Sequence, residues 1–69
     1  MKNLQEIVKN KQPFKIDLEN GVILDLIFDN EIQEYRGYWK EEDIYIGIWT
    51  MKTFSMILSG EIAGVKILL

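Results

Sequence analysis

Cysteine and histidine are both absent from these 69 residues. Without cysteine there is no disulfide and no thiolate metal site. Without histidine the commonest catalytic base and metal ligand is missing. Pro13 is the only proline, Ala63 the only alanine and Arg36 the only arginine. No apolar run approaches the roughly 20 residues that a membrane-spanning helix needs. The absence of cysteine makes a reducing cytoplasm the expected location, and residues Met1 to Ile7 lack the apolar segment of a secretory signal. A glycine-rich phosphate loop, a serine elbow and a metal-ligand signature are also lacking. The expectation is therefore a protein that is not an enzyme and needs no cofactor or metal.

What is present is apolar and acidic. Hydrophobic residues make up 48% of the chain, and eight aromatics give a domain this small a chance of a core. The net charge of −3 is unevenly spread. Residues 1–16 set four lysines against Glu6, and residues 17–43 set nine acids against Arg36 and Lys40. That balance argues against broad phosphate-backbone binding, which needs clustered Lys and Arg. The heavy use of isoleucine, lysine and glutamate suggests an AT-rich genome, such as that of a low-GC bacterium or its phage.

One hairpin sets the architecture. Asn20-Gly21 stands between two apolar runs, the strongest short-range hairpin signal. A two-residue turn there would pair Leu18 with Ile23. A three-residue turn with Gly21 in the left-handed position pairs Leu18 with Val22. Only the second puts Phe14, Ile16 and Leu18 on one face with Val22, Leu24, Leu26 and Phe28, leaving Lys15, Asp17, Glu19 and Asp25 outside. A one-residue slip exchanges the faces, so burial selects the bulged register.

The remaining elements follow from caps, breakers and periodicity. Residues 3–10 read as a short helix, capped by Asn3 with Glu6 three positions on. Pro13 stops it. Strands are predicted over 13–19, 22–28, 31–39, 44–49, 54–58 and 63–69. Gly37 suggests a bulge or bend inside the third. In the fourth, alternation places Ile44, Ile46 and Ile48 toward the core and Tyr45, Gly47 and Trp49 opposite. Ser59-Gly60-Glu61 breaks the chain between the last two strands. The prediction is a single all-β domain over 1–69, a small five- to six-stranded barrel over 13–69 with a short N-terminal helix.

One helix followed by about five strands resembles the Sm-like fold, a variety of SH3-type small barrel. The segment Met56-Ile57-Leu58-Ser59-Gly60-Glu61-Ile62-Ala63-Gly64-Val65-Lys66-Ile67 resembles that family's second motif, an apolar strand, a tight turn and an apolar strand. Ser59 stands where the family carries a basic residue. The resemblance implies an oligomeric, nucleic-acid-binding protein. Lys9, Lys11, Lys15 and Lys66 would then line its ligand, and strand edges would pair between subunits. The apolar end Ile67-Leu68-Leu69 asks for cover, and pairing of the last strand with another subunit would supply it.

The candidate site is aromatic. Tyr35-Arg36-Gly37-Tyr38-Trp39 and the next strand, with Tyr45 and Trp49, are expected to be hairpin partners. Aromatics around one arginine have the composition of protein-binding hot spots, and could also stack single-stranded bases. Glu41, Glu42 and Asp43 at the intervening turn would form an acidic rim, suited to a partner with a basic surface. Asp25, Asp29 and Glu31 could offer oxygens to a hard cation, but their spacing matches no calcium loop. The leading expectation is a protein–protein interaction module, such as an accessory or inhibitory protein of a phage or mobile element. A nucleic-acid ligand is the alternative.

Overall fold

A computed structural model describes residues 3–69 of the chain. Helix α1 spans Leu4–Lys9. The Asn3 side chain accepts a hydrogen bond from the Glu6 N–H at 2.9 Å, as the sequence predicts for its cap. Leu4 and Ile7 are buried, and Val8 packs beside them. A helix of six residues, fewer than two turns, is marginal alone in water, so docking of this stripe sustains it.

Strands β1 (Phe14–Leu18), β2 (Ile23–Asp29), β3 (Glu34–Trp39) and β4 (Ile44–Trp49) follow one another as an antiparallel meander. Helix α2 (Met51–Leu58) then carries the chain across to β5 (Val65–Leu68), which pairs antiparallel with β1. The result is mostly β: one five-stranded sheet in the order β4-β3-β2-β1-β5, with two short helices. β4 and β5 are its two edges, and no pairing joins them among the described residues.

The hairpin register is the bulged one. Phe14 lies opposite Leu26 and Ile16 opposite Leu24, while the Leu18 N–H donates to the Val22 carbonyl at 2.8 Å. Gly21 has φ +76°, a left-handed conformation that L side chains rarely adopt. The core gathers Phe14, Ile16, Leu24, Leu26 and Tyr35 from the sheet with Leu4, Ile7 and Phe54 from the helices. Phe14, Tyr35 and Phe54 meet edge to face, with centroids 5.1 to 5.7 Å apart.

Two sequence readings are corrected, besides the start of the third strand, where residues 31–33 form a turn and β3 begins at Glu34. Residues 54–58 are not a strand but the second half of α2. The Thr50 hydroxyl accepts from the Thr53 N–H and its carbonyl from the Phe54 N–H, so Thr50 caps a helix. Phe54 and Ile57, three apart, face the core, whereas alternation would have grouped Phe54 with Leu58, which is exposed. The second correction concerns β4. Its isoleucines do not fill the core: Ile44, Ile46 and Ile48 are all exposed. The register shifts beside Gly37, so Gly37 lies opposite Gly47 but Tyr38 lies opposite Tyr45. Ile46 is left without a partner on β3, and Gly47 takes φ +109°. The extra residue reverses the alternation. Ile48 therefore shares the outer face with Arg36, and Trp49 shares the inner face with Tyr35.

Candidate functional site

The helices and the core lie on one face of the sheet. The opposite face carries cross-strand rows of side chains fixed by the register. Lys15, Asp25, Tyr38 and Tyr45 make one row, and Ile27, Arg36 and Ile48 the next. Ile27, Tyr38, Tyr45 and Ile48 are all exposed. Paired side chains on neighbouring strands stand close enough to interact, so these rows form one continuous surface.

Arg36 is its centre. The Arg36 Nε donates to the Asp29 carboxylate, and an Nη donates to the Tyr45 hydroxyl at 2.9 Å. The Arg36 guanidinium carbon lies 5.4 Å from the Tyr45 ring centroid, and the Tyr38 and Tyr45 rings are 5.6 Å apart. The Arg36 hydrogen bond holds the Asp29 carboxyl below its ordinary value of 3.8, helped by the backbone N–H of Glu31. Asp29 in turn holds Arg36 more firmly in its charged form. Asp29 also ties the β2–β3 turn, accepting from the Glu31 N–H at 2.8 Å. The guanidinium is thus fixed at both ends and presents a planar, oriented cation between two isoleucines. A groove of about 580 Å³ continues the surface, lined among others by Lys15, Asp25, Ile27, Tyr38, Lys40 and Asp43.

The predicted aromatic set therefore divides. Arg36, Tyr38 and Tyr45 come together on the outer face. Tyr35 is 2% exposed and belongs to the core, where its hydroxyl donates to the Gln12 carbonyl at 2.8 Å. Burial raises its pKa. Its place on the surface is a correction: Tyr35, Gly37 and Trp39 share the inner face by strand alternation, while Arg36 and Tyr38 share the outer. Trp39 and Trp49 are half-buried against the core. Glu41, Glu42 and Asp43 are exposed on a 3-10 turn, with Asp43 at φ +52°. The two ion pairs among the described residues, Lys15–Asp25 and Arg36–Asp29, leave these three acids unpaired.

The lysines do not share one lining. Lys9 is exposed at the end of α1. Lys11 lies over the Phe28 ring, 5.2 Å from its centroid. Lys15 stands 3.7 Å from Asp25, and Lys66 lies opposite Asp17 in the register. Of the three weighed as cation ligands, Asp29 is taken by Arg36. No group of three or more acidic side chains among the described residues is placed to hold a metal ion. No helix among them is long and apolar enough to cross a membrane. Sequence reasoning missed Ile27 and Ile48 as members of the surface. The hairpin register held the signal for Ile27, which shares the parity of Asp25, an outward residue.

Compared with protein-family models, with curated proteins and with solved structures, the chain matches none.

Proposed function

We propose that this domain is a non-enzymatic protein–protein interaction module that docks its partner on the outer face of β2, β3 and β4. The observation that carries the reading is the Arg36 cluster. An arginine oriented by Asp29 and Tyr45, with Tyr38 beside it, combines two of the side chains richest in binding energy at interfaces, and Ile27 and Ile48 flank it with apolar area. Being held before a partner arrives, the guanidinium loses little freedom on binding. The unpaired Glu41, Glu42 and Asp43 form a rim that steers a partner with basic residues nearby. Small size and composition suit an accessory or inhibitory protein of a phage or mobile element of a low-GC bacterium.

A second reading is an Sm-like, oligomeric nucleic-acid binder. In its favour is the order of elements, a helix followed by five antiparallel strands, although α2 stands between the last two. Against it, Lys15 and Lys66 stand across from Asp25 and Asp17 rather than in a basic lining.

The test is capture of partners from a lysate of the producing cells, comparing wild type with Tyr45→Ala and Glu42→Ala. Both positions are exposed, so circular dichroism should show intact folds. Tyr45→Ala should weaken the captured protein's binding by about tenfold or more, roughly 1.4 kcal/mol, and Glu42→Ala by much less. Retention of nucleic acid instead, with binding that falls steeply as salt rises, would favour the Sm-like reading.

A further inference from the structure

β4 is an edge strand with an open side. Its other side is taken by β3. Its residues Ile44-Tyr45-Ile46-Gly47-Ile48-Trp49 include no charge and no proline, and Ile44, Tyr45, Ile46 and Ile48 are between 39% and 52% exposed. Edge strands of monomers are ordinarily kept from pairing by short length, charged residues or proline. The other edge obeys this, since β5 has four residues and one of them is Lys66. β4 has six residues and only the bulge at Gly47 to interrupt it.

We propose that β4 is a dimerisation edge, pairing antiparallel with β4 of a second copy about a two-fold axis. The charge pattern chooses both the occupant and the direction. Glu41, Glu42 and Asp43 precede the strand, and Lys52 follows it, all of them exposed. Antiparallel pairing of two copies brings each acidic turn alongside the start of α2 in the other copy, where Lys52 sits, and does so twice. Parallel pairing would instead set two acidic turns side by side. Along the strand itself an uncharged edge meets an uncharged edge, so isoleucine packs near isoleucine and no charge is desolvated. The six residues offer roughly 17–20 Å of pairing, a full strand's worth. The bend at Gly47 falls near the two-fold axis. A contact between β4 and β5 of another copy is heterologous, would set Lys66 against the apolar edge, and must close into a ring or run on as a filament.

The dimer joins two five-stranded sheets into one of ten strands. Both outer faces then lie on the same side, with an Arg36–Tyr45 cluster flanking the seam from each copy. This inference rests on the edge of β4 and takes the Glu41–Asp43 turn as a contact of the second copy, leaving the Arg36 cluster on the outer face to any other partner.

The test is light scattering and sedimentation equilibrium on the full chain over a hundredfold range of concentration. Wild type should show twice the monomer mass, falling toward the monomer on dilution, with no larger species. Ile46→Lys should be monomeric throughout with an unchanged circular dichroism spectrum, while Leu68→Lys at the other edge should remain dimeric. The paired reversal Glu41→Lys with Glu42→Lys should weaken the dimer at least tenfold, and adding Lys52→Glu should restore it. These three exposed positions keep the question answerable should Ile46→Lys fail to fold. Monomer at every concentration, an assembly larger than a dimer, or a dimer that survives Ile46→Lys would overturn the proposal. So would loss on the paired reversal with no rescue by Lys52→Glu.

Discussion

Substituting Gly37 by alanine tests whether the inner face of β3 and β4 is packed as described. Gly37 is buried, and its φ is not in the left-handed region, so alanine meets no backbone obstacle. The obstacle is a neighbour. A Cβ at this position would sit 2.6 Å from the Trp49 Nε1 and 3.0 Å from its Cδ1. Favourable non-bonded contacts lie near 3.5–4.0 Å, so the indole must move by about an ångström. Trp49 is half-buried against the core and opposite Tyr35, which limits where it can go. Overpacking of this kind costs about 1–3 kcal/mol. Against it stands the reduced freedom of the unfolded chain, about 0.4–1 kcal/mol in favour of alanine. The net expectation is a loss of roughly 1–2 kcal/mol. With a urea slope near 1 kcal/mol/M for a small domain, the unfolding midpoint falls by about 1–2 M. Far-UV circular dichroism would follow the transition. The decisive comparison places Gly37→Ala in a Trp49→Leu background. Leucine keeps apolar cover but removes the ring edge, so there Gly37→Ala should be neutral or slightly stabilising. The two substitutions should couple by about 1–3 kcal/mol in a double-mutant cycle. An equal loss in both backgrounds, or no loss beside Trp49, would refute the packing of the indole on Gly37.

Tyr35→Phe removes the donor to the Gln12 carbonyl and leaves that acceptor unpaired beside the core. Stability should fall by about 1–2 kcal/mol in denaturant titration, with capture of any partner unchanged. Asp29 has a folded pKa below its ordinary value of 3.8, so its contribution is complete above the unfolded value and lost as pH falls through the folded one. Thermal melts of wild type should therefore lose stability below about pH 4. Asp29→Asn should flatten that limb and loosen the Arg36–Tyr45 contact, seen as a faster-exchanging guanidinium signal in NMR.

Legibility in the sequence followed the range of the signal. Where three or four residues decide a structure among themselves, reading them suffices. Asn3 with Glu6 announced the start of α1. Asn20-Gly21, weighed against the apolar pattern on either side, yielded the β1–β2 register residue by residue. Failure came where two periods fit one short run. Phe54 to Leu58 alternates acceptably and also places Phe54 and Ile57 three apart. Short apolar runs do not separate strand from helix by period alone. The overlooked signal was Thr50, a capping residue whose carbonyl and hydroxyl both receive the first turn of α2.

β4 failed for a different reason, and that reason decides which rings reach the outer face. Its alternation is clean on paper, yet a single unpaired residue, Ile46, reverses it halfway. Gly37 marked the neighbourhood, but a glycine does not say which of two paired strands carries the extra residue. The same shift sorts the aromatics. Ahead of it along β3, Tyr35 faces Trp49 across the inner side; beyond it, Tyr38 faces Tyr45 across the outer side. With unbroken alternation on β4, the parity of Trp49 would match that of Tyr45, and the two rings would share a face. The bulge separates them, giving Trp49 to the core and leaving Tyr45 to Arg36. Sequence reasoning found the β3–β4 hairpin and grouped Arg36 with Tyr38 and Tyr45. It could not divide the rings between fold and surface, because that division depends on one residue's insertion and not on composition.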